Sequence, residues 1–334
     1  MTIDTPPRFT IADGERLGRE FFGLSAVAAP LPSERDQNFA LTSAAGEKFV
    51  LKIAKSDEDP AVLELQAAAL KHAAQRAPNL ALPRLVAARS GAECVAVTDA
   101  RGQAYLMRLM TWVEGEVFAR AQPHTETLLA SLGTAMADLD LALQGFSHPA
   151  MHRELHWDVR HADLALRHLP LLRSEQQAVV RQLMDAWQAI DWQGLRHSVI
   201  HGDANDYNVL VRDGRVVGFL DFGDMVHSAT VCDLAIALTY AILDKPDPLV
   251  AAVPAVAAYH RRLPLTAAEI DALYPLTTGR LCMSLCYAAY NERAKSGDAY
   301  QLISAGPASA LLQQLSAIPG ATARAALRRA CGIS

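Results

Sequence analysis

The sequence predicts an α+β chain in two parts, a small β-rich one over residues 1–112 and a larger, mostly helical one over 113–334. Three observations predict it. Short runs before residue 111 alternate apolar and polar with period two, as half-buried strands do. From Thr125 onward most segments repeat with the helical period. Between those helices lies one strand pair, residues 209–220, with acidic clusters at the same end of both its strands. The length fits two such units, and a hydrophobic share of 51% is ample for their cores.

The elements follow in order. A short helix and an entry segment precede Ser25. Residues 24–29 read as a strand and 30–37 as a loop, then 38–42 and 47–54 as strands joined by a turn at Gly46. Phe49, Leu51 and Ile53 share one face of the last of these, so Lys52 points away from it. A lysine inside an apolar strand is costly unless it meets negative charge, and nucleotide phosphates would supply that. The loop 30–37 has no glycine, which excludes a glycine-rich phosphate cradle. Residues 60–77 form a helix opened by Asp59 and Pro60. Residues 83–88, 93–98 and 103–110 are further strands. The second part holds helices at 125–144, 175–190, 228–243, 248–260, 266–274, 278–295 and 308–316, and Thr266 with Glu269 fits a capping box.

The chemistry concentrates in residues 201–224. His201-Gly202-Asp203 is followed by Asn208, then by a strand pair turning at Asp213-Gly214, then by Asp221-Phe222-Gly223-Asp224. Phosphoryl transfer to an alcohol needs such a set: an acid to orient and deprotonate the hydroxyl, and hard oxygen donors to hold Mg²⁺ on the phosphates. Asp203 is the candidate base, and Asn208 and Asp221 are the candidate metal ligands.

His-Gly-Asp-x-x-x-x-Asn with Asp-Phe-Gly resembles the core of the aminoglycoside phosphotransferase-like kinases, which share the protein-kinase fold. Gly202, where protein kinases carry arginine, argues for the small-molecule branch. The run from Ser33 to Phe39 and the run from Asp233 to Leu238 resemble the hydroxylysine kinase subfamily, and the similarity spans about residues 25–307. The resemblance implies a bilobal kinase-like fold and transfer from ATP or GTP to the hydroxyl of a hydroxylysine-like amino acid or amino alcohol. It would turn Ser33, the backbone amides of the loop 30–37 and Asn38 toward phosphate, and it places the base-binding hinge near Leu109 to Trp112. It makes Asp233 a structural support of the catalytic loop, a role that His201 shares by bracing it.

One departure stands out. The acid that orients the lysine in this fold is replaced in register by Gln66, with Glu64 two residues earlier. Either Gln66 orients Lys52 by a neutral hydrogen bond, the favoured reading, or Glu64 does so through a shifted helix. Asp224, Arg280 and Glu292 are candidates for the acceptor's charged groups, with Asn291, Arg293 and Asp298 as further polar residues there.

Rival readings are a homoserine, choline or aminoglycoside acceptor, or an inactive nucleotide-binding regulator. Net charge of -5 argues against nucleic acid as a partner. Five cysteines without paired spacing, no apolar leader and no membrane-length apolar run point to a cytoplasmic protein. His152 and His156 have metal-pair spacing, but a packing role suits them better. Cys282 and Cys286, a helical turn apart, read as small buried hydrophobes.

Overall fold

The computed structural model describes residues 7–33, 35–294 and 305–333. The chain divides into two compact units: residues up to Lys71 with 82–114, and residues 72–81 with 115 onward.

In the first unit, helix α1 (Ile11–Phe22) opens with a Thr10–Asp13 capping box. Strands β1 (Ala26–Leu31), β2 (Gln37–Ser43) and β3 (Lys48–Ile53) form an antiparallel meander. Helix α2 (Pro60–Arg76) follows, then β4 (Leu85–Val86), β5 (Val95–Thr98) and β6 (Ala104–Thr111). The strand order is β1-β2-β3-β6, with β4 and β5 both paired to the far side of β6. One face of this sheet is apolar. Phe39, Leu41, Leu51, Ile53, Met107 and Leu109 are buried there with Leu17 of α1. The small residues of α1 permit the close contact: a Cβ on Gly14 would lie 3.2 Å from the Phe39 ring, and one on Gly18 3.0 Å from Leu41.

The second unit begins with the end of α2 and the turn after it. Ala81 bridges to Gly218, so closely that a Cβ on Gly218 would sit 1.9 Å from the Ala81 carbonyl. Next come β7 (Glu116–Val117), α3 (Glu126–Leu143), 3-10 turns at Pro149–His152 and Val159–Leu171, and α4 (Ser174–Gln188). Strand β8 (His197–Ile200) pairs with β11 (Val226–Ala229), while β9 (Val209–Arg212) pairs with β10 (Arg215–Phe219) and β7. The β9–β10 turn is the expected one, with Asp213 and Gly214 both at positive φ, 53° and 69°. Helices α5 (Val231–Ala241), α6 (Pro248–Arg262), α7 (Ala267–Ala294), α8 (Ala305–Ser316) and α9 (Gly320–Ala330) complete the unit.

Two expectations are corrected here. The helix expected over 228–243 starts only at Val231, because residues 226–229 pair with β8 instead. The helices expected at 266–274 and 278–295 are one, running through Pro275. A single missing N–H is tolerable in a long packed helix. The expected end at Lys295 lies outside the described residues, as do Glu34 and Asp298. Residues 159–171, given no element from the sequence, form 3-10 turns. The expected caps are present: Asp59 accepts from the Ala61 amide at 2.9 Å, and Thr266 and Glu269 exchange bonds at 3.2 and 2.8 Å.

Candidate active site

The site in the second unit is built where β8 ends. Asp233, in the first turn of α5, accepts the His201 and Gly202 amides, one on each carboxylate oxygen, both at 2.7 Å. These charge-assisted bonds fix the start of the loop. The Asp203 amide donates to His201 Nδ1 at 3.2 Å, which leaves Nε2 to carry the ring proton and donate to the Leu220 carbonyl at 2.8 Å. The His201 ring also meets the Phe222 ring edge-on, with centroids 4.6 Å apart. Histidine thus ties the loop to the end of β10 and to the turn beyond it. Gly202 has φ 79°, and a Cβ there would lie 2.3 Å from the Asp224 carbonyl, so both conformation and space require glycine.

Asp203 is held from three sides. Its Oδ2 accepts Asn205 Nδ2 and Asn208 Nδ2, each at 2.9 Å, and its Oδ1 accepts Arg280 Nη2 at 2.7 Å. Asn205 Oδ1 in turn accepts the Tyr207 and Asn208 amides at 2.8 and 3.1 Å, folding the loop back on itself. Asn208 Nδ2 also donates to the Asp203 carbonyl at 2.9 Å. Burial pushes the Asp203 carboxyl up to about 7; the Arg280 guanidinium opposes the rise, and Asp224 and Asp221 add to it.

The second acidic cluster is brought alongside by the strand pair. Val209 faces Phe219 in the ladder, and the Leu220 amide donates to the Asn208 carbonyl at 2.7 Å. Asp221 follows at φ 50°, ψ 85°, with its Oδ1 accepting the Gly223 amide at 3.1 Å. Its side chain is exposed, whereas Asp224 is buried. Arg153 fastens this turn, donating to the Met225 carbonyl at 2.9 Å and the Gly223 carbonyl at 2.5 Å.

Hard oxygen donors suit a cation of the Mg²⁺ type. Asn208 commits its amide nitrogen to Asp203, so its Oδ1 is the atom it could offer a cation. The exposed Asp221 carboxylate, one residue beyond the Leu220 amide that bonds the Asn208 carbonyl, is the second hard oxygen such a cation could take. Among the described residues no group of three or more His, Cys, Asp or Glu is suited to a metal. His152 and His156 share no helical turn. His152 ends a 3-10 turn and meets His227, while His156 lies against Trp157 and Tyr287. Cys282 and Cys286 are both buried in α7.

In the first unit, Lys52 lies opposite Asn38 of β2 and Arg108 of β6, so these three form one polar row across the sheet face away from Leu51 and Ile53. Arg108, buried at 3% exposure, was not foreseen from the sequence, although an arginine between Met107 and Leu109 in an apolar strand was a visible signal. On α2, Gln66 is buried and Glu64 is exposed. Ser33 is half-buried in the loop after β1. Leu109 is corrected. It lies inside β6, flanked by Leu51 of β3 and Val86 of β4, with its side chain in the core. It has no free backbone edge, whereas β6 ends at Thr111, one residue before Trp112, whose amide donates to the Lys48 carbonyl at 3.2 Å. The Lys48 ammonium sits 5.5 Å above the Trp112 ring.

Of the acceptor candidates, Arg280 meets Asp203 directly. Glu292 instead lines a groove of about 260 Å³ with Leu171, Arg173, Gln176 and Leu285, away from the Asp203 loop. Asn205, Arg153 and Arg108 are the polar residues the sequence reading missed.

An antiparallel sheet unit followed by a helical unit, with an aspartate-asparagine loop tied to an Asp-Phe-Gly turn, defines a phosphotransferase of protein-kinase-like fold. The chain belongs to the phosphotransferase enzyme family, which it matches over residues 27–276. It is 32% identical to a hydroxylysine kinase of Danio rerio, covering 86% of both chains. Among solved structures it resembles a microcompartment-associated aminopropanol kinase (TM-score 0.72, 20% identity, 91% of this chain and 97% of that one). It also resembles amicoumacin kinase hAmiN, solved with AMP-PNP, Ca2+ and Ami (TM-score 0.72, 14% identity, 94% and 97%).

Proposed function

We propose that this small-molecule phosphotransferase moves the γ-phosphoryl group of ATP or GTP to the hydroxyl of hydroxylysine or a similar amino alcohol, in the cytoplasm. The observation that carries the chemistry is the convergence of Asp203, Asn208 and Asp221 at one end of the β9–β10 hairpin, joined by the Leu220–Asn208 bond. Asp203 orients the hydroxyl and takes its proton. Asn208 and Asp221 hold Mg²⁺, which neutralises charge on the phosphates when bound. Lys52, with Gln66 orienting it, binds phosphate oxygens, Ser33 adds a contact, and the backbone after Trp112 receives the base.

The acceptor class is supported by the hydroxylysine kinase relatives. The test is phosphoryl transfer from ATP and from GTP, in Mg²⁺, to 5-hydroxylysine, homoserine, choline, ethanolamine and kanamycin. Turnover on hydroxylysine at a kcat/KM at least about tenfold above the others is expected. Preference for another alcohol would keep the chemistry and discard the acceptor. Nucleotide binding without transfer to any alcohol would favour a regulator.

A further inference from the structure

Arg280 was expected to receive an acceptor carboxylate. Its surroundings give it another task. The side chain is 2% exposed, Nη1 donates to the Trp157 carbonyl at 3.0 Å and Nη2 to Asp203 Oδ1 at 2.7 Å. The guanidinium lies 4.7 Å from the Trp157 ring centre and 5.9 Å from that of Tyr240. At 2% exposure it offers a ligand carboxylate almost no surface. An arginine buried in this way is rigid, because stacking and two directed bonds fix its plane. Its mounting is rigid too. Tyr287, two helical turns further along the same face of α7, donates to the His156 carbonyl at 3.2 Å, so α7 grips residues 156 and 157 at two points. Next to Arg280, Gly279 lets the Trp187 ring approach so near that a Cβ would lie 2.8 Å from it.

The lone pairs of Asp203 then decide the geometry. A carboxylate offers about four acceptor positions, two on each oxygen. Both on Oδ2 are taken by the Asn205 and Asn208 amides, and one on Oδ1 is taken by Arg280. One position on Oδ1 remains.

We propose that Arg280 is a positioning residue for phosphoryl transfer: by gripping Oδ1 it fixes the plane of the Asp203 carboxylate and leaves a single Oδ1 lone pair to meet the acceptor hydroxyl. This rests on the kinase reading above, though not on which alcohol is the acceptor. In the step itself the acceptor oxygen forms its bond to the γ-phosphorus as the bond from that phosphorus to the β–γ bridging oxygen breaks. The nucleoside diphosphate leaves, and the hydroxyl proton passes to Oδ1. Arg280 touches neither substrate.

The experiment compares wild type, Arg280→Lys and Arg280→Met for kcat and for the KM of nucleotide and acceptor. Nucleotide hydrolysis with water as acceptor, and crystal structures of the variants, are measured in parallel. Loss of positioning is worth roughly 100-fold. Arg280→Met is therefore expected to lower kcat by about 100-fold with both KM values within about threefold. Arg280→Lys, which keeps one bond to Asp203 but not the fork to Trp157, is expected to recover about tenfold of that loss. Hydrolysis should fall in parallel, and the Asp203 carboxylate should be rotated in the Arg280→Met structure. A loss confined to acceptor KM would overturn the proposal in favour of carboxylate binding. So would unchanged kcat, or an unmoved Asp203 in the variant structure. If the wild type transfers to no alcohol in the panel, the acceptor reading fails, while hydrolysis and the variant structures still decide the role of Arg280. If Arg280→Met does not fold, the Arg280→Lys rates decide: kcat within twofold of wild type would sink the idea.

Discussion

The second unit holds two buried arrangements of aspartates, and they are built in opposite ways. Asp203 has a cation against one oxygen, two amides against the other and a side chain still 21% exposed. Asp140 of α3 is fully buried, accepts the Tyr259 hydroxyl at 2.5 Å and has no cation bonded to it; burial, and then Asp233 beside it, push its carboxyl well above the usual range. Asp233 is also raised by burial, against the neighbouring His201 and the two loop amides that hold it down. The lesson is that burial beside a second acid favours the protonated form of Asp140, while a guanidinium and two amides hold Asp203 in place for chemistry. Identical side chains are assigned different work by whether a cation or a second acid stands next to them.

The largest expected effect comes from removing the reactive carboxylate. Asp203→Asn keeps an oxygen for Arg280 but loses the base, and kcat should fall about 10³-fold in steady-state assays. A variant retaining a tenth of the activity would erase the contrast between the two arrangements. Next is Asp233→Ala. It leaves the His201 and Gly202 amides buried without acceptors, and urea unfolding should show a loss of about 3–5 kcal/mol. Gly202→Ala is smaller, about 2–4 kcal/mol. It forces a Cβ at positive φ against the Asp224 carbonyl, so the fall in activity should track the fall in stability.

The smallest effect is also the sharpest test of the raised Asp140 carboxyl. Asp140→Asn resembles the protonated acid and should change stability by less than about 1 kcal/mol at about pH 4, where the wild-type carboxyl is protonated in the folded chain. The sign with pH follows from the raised carboxyl. The folded chain keeps a proton that the unfolded chain releases above about pH 4. Stability from this group is therefore full below that value and declines as pH rises toward the raised one. The Asn variant should gain on wild type between pH 5 and about 8 in parallel urea titrations. Parallel curves for the two proteins would mean that Asp140 is ionised.

How much of this was readable in the sequence follows the distance between partners. The loop, the strand pair and the acidic turn lie within residues 201–224, and local rules of turn and alternation were enough to set them side by side. The meander of the first unit was legible for the same reason, with ends off by a residue or two. The Arg280–Asp203 pair spans 77 residues and the Asp140–Tyr259 bond 119, and no local period encodes either. A partial signal existed in both cases. Arg280 is the lone charge in the stretch 278–291, and Asp140 stands between Leu139 and Leu141 in an apolar helix. A charge so placed demands a buried partner, without saying which. Pro275 misled in the other direction, since packing along α7 outweighs the one backbone bond that proline removes. Gln66 was legible as a departure, and its burial beside an exposed Glu64 fits the neutral alternative.

The most direct measurement is single-turnover phosphoryl transfer from Mg-bound nucleotide to 5-hydroxylysine by wild type, Asp203→Asn and Asp140→Asn, read as phosphorylated product. The account predicts transfer by wild type and by Asp140→Asn at rates within about threefold of each other, and a loss of about 10³-fold in Asp203→Asn. Transfer by Asp203→Asn within tenfold of wild type, or an equal collapse in both variants, would contradict it.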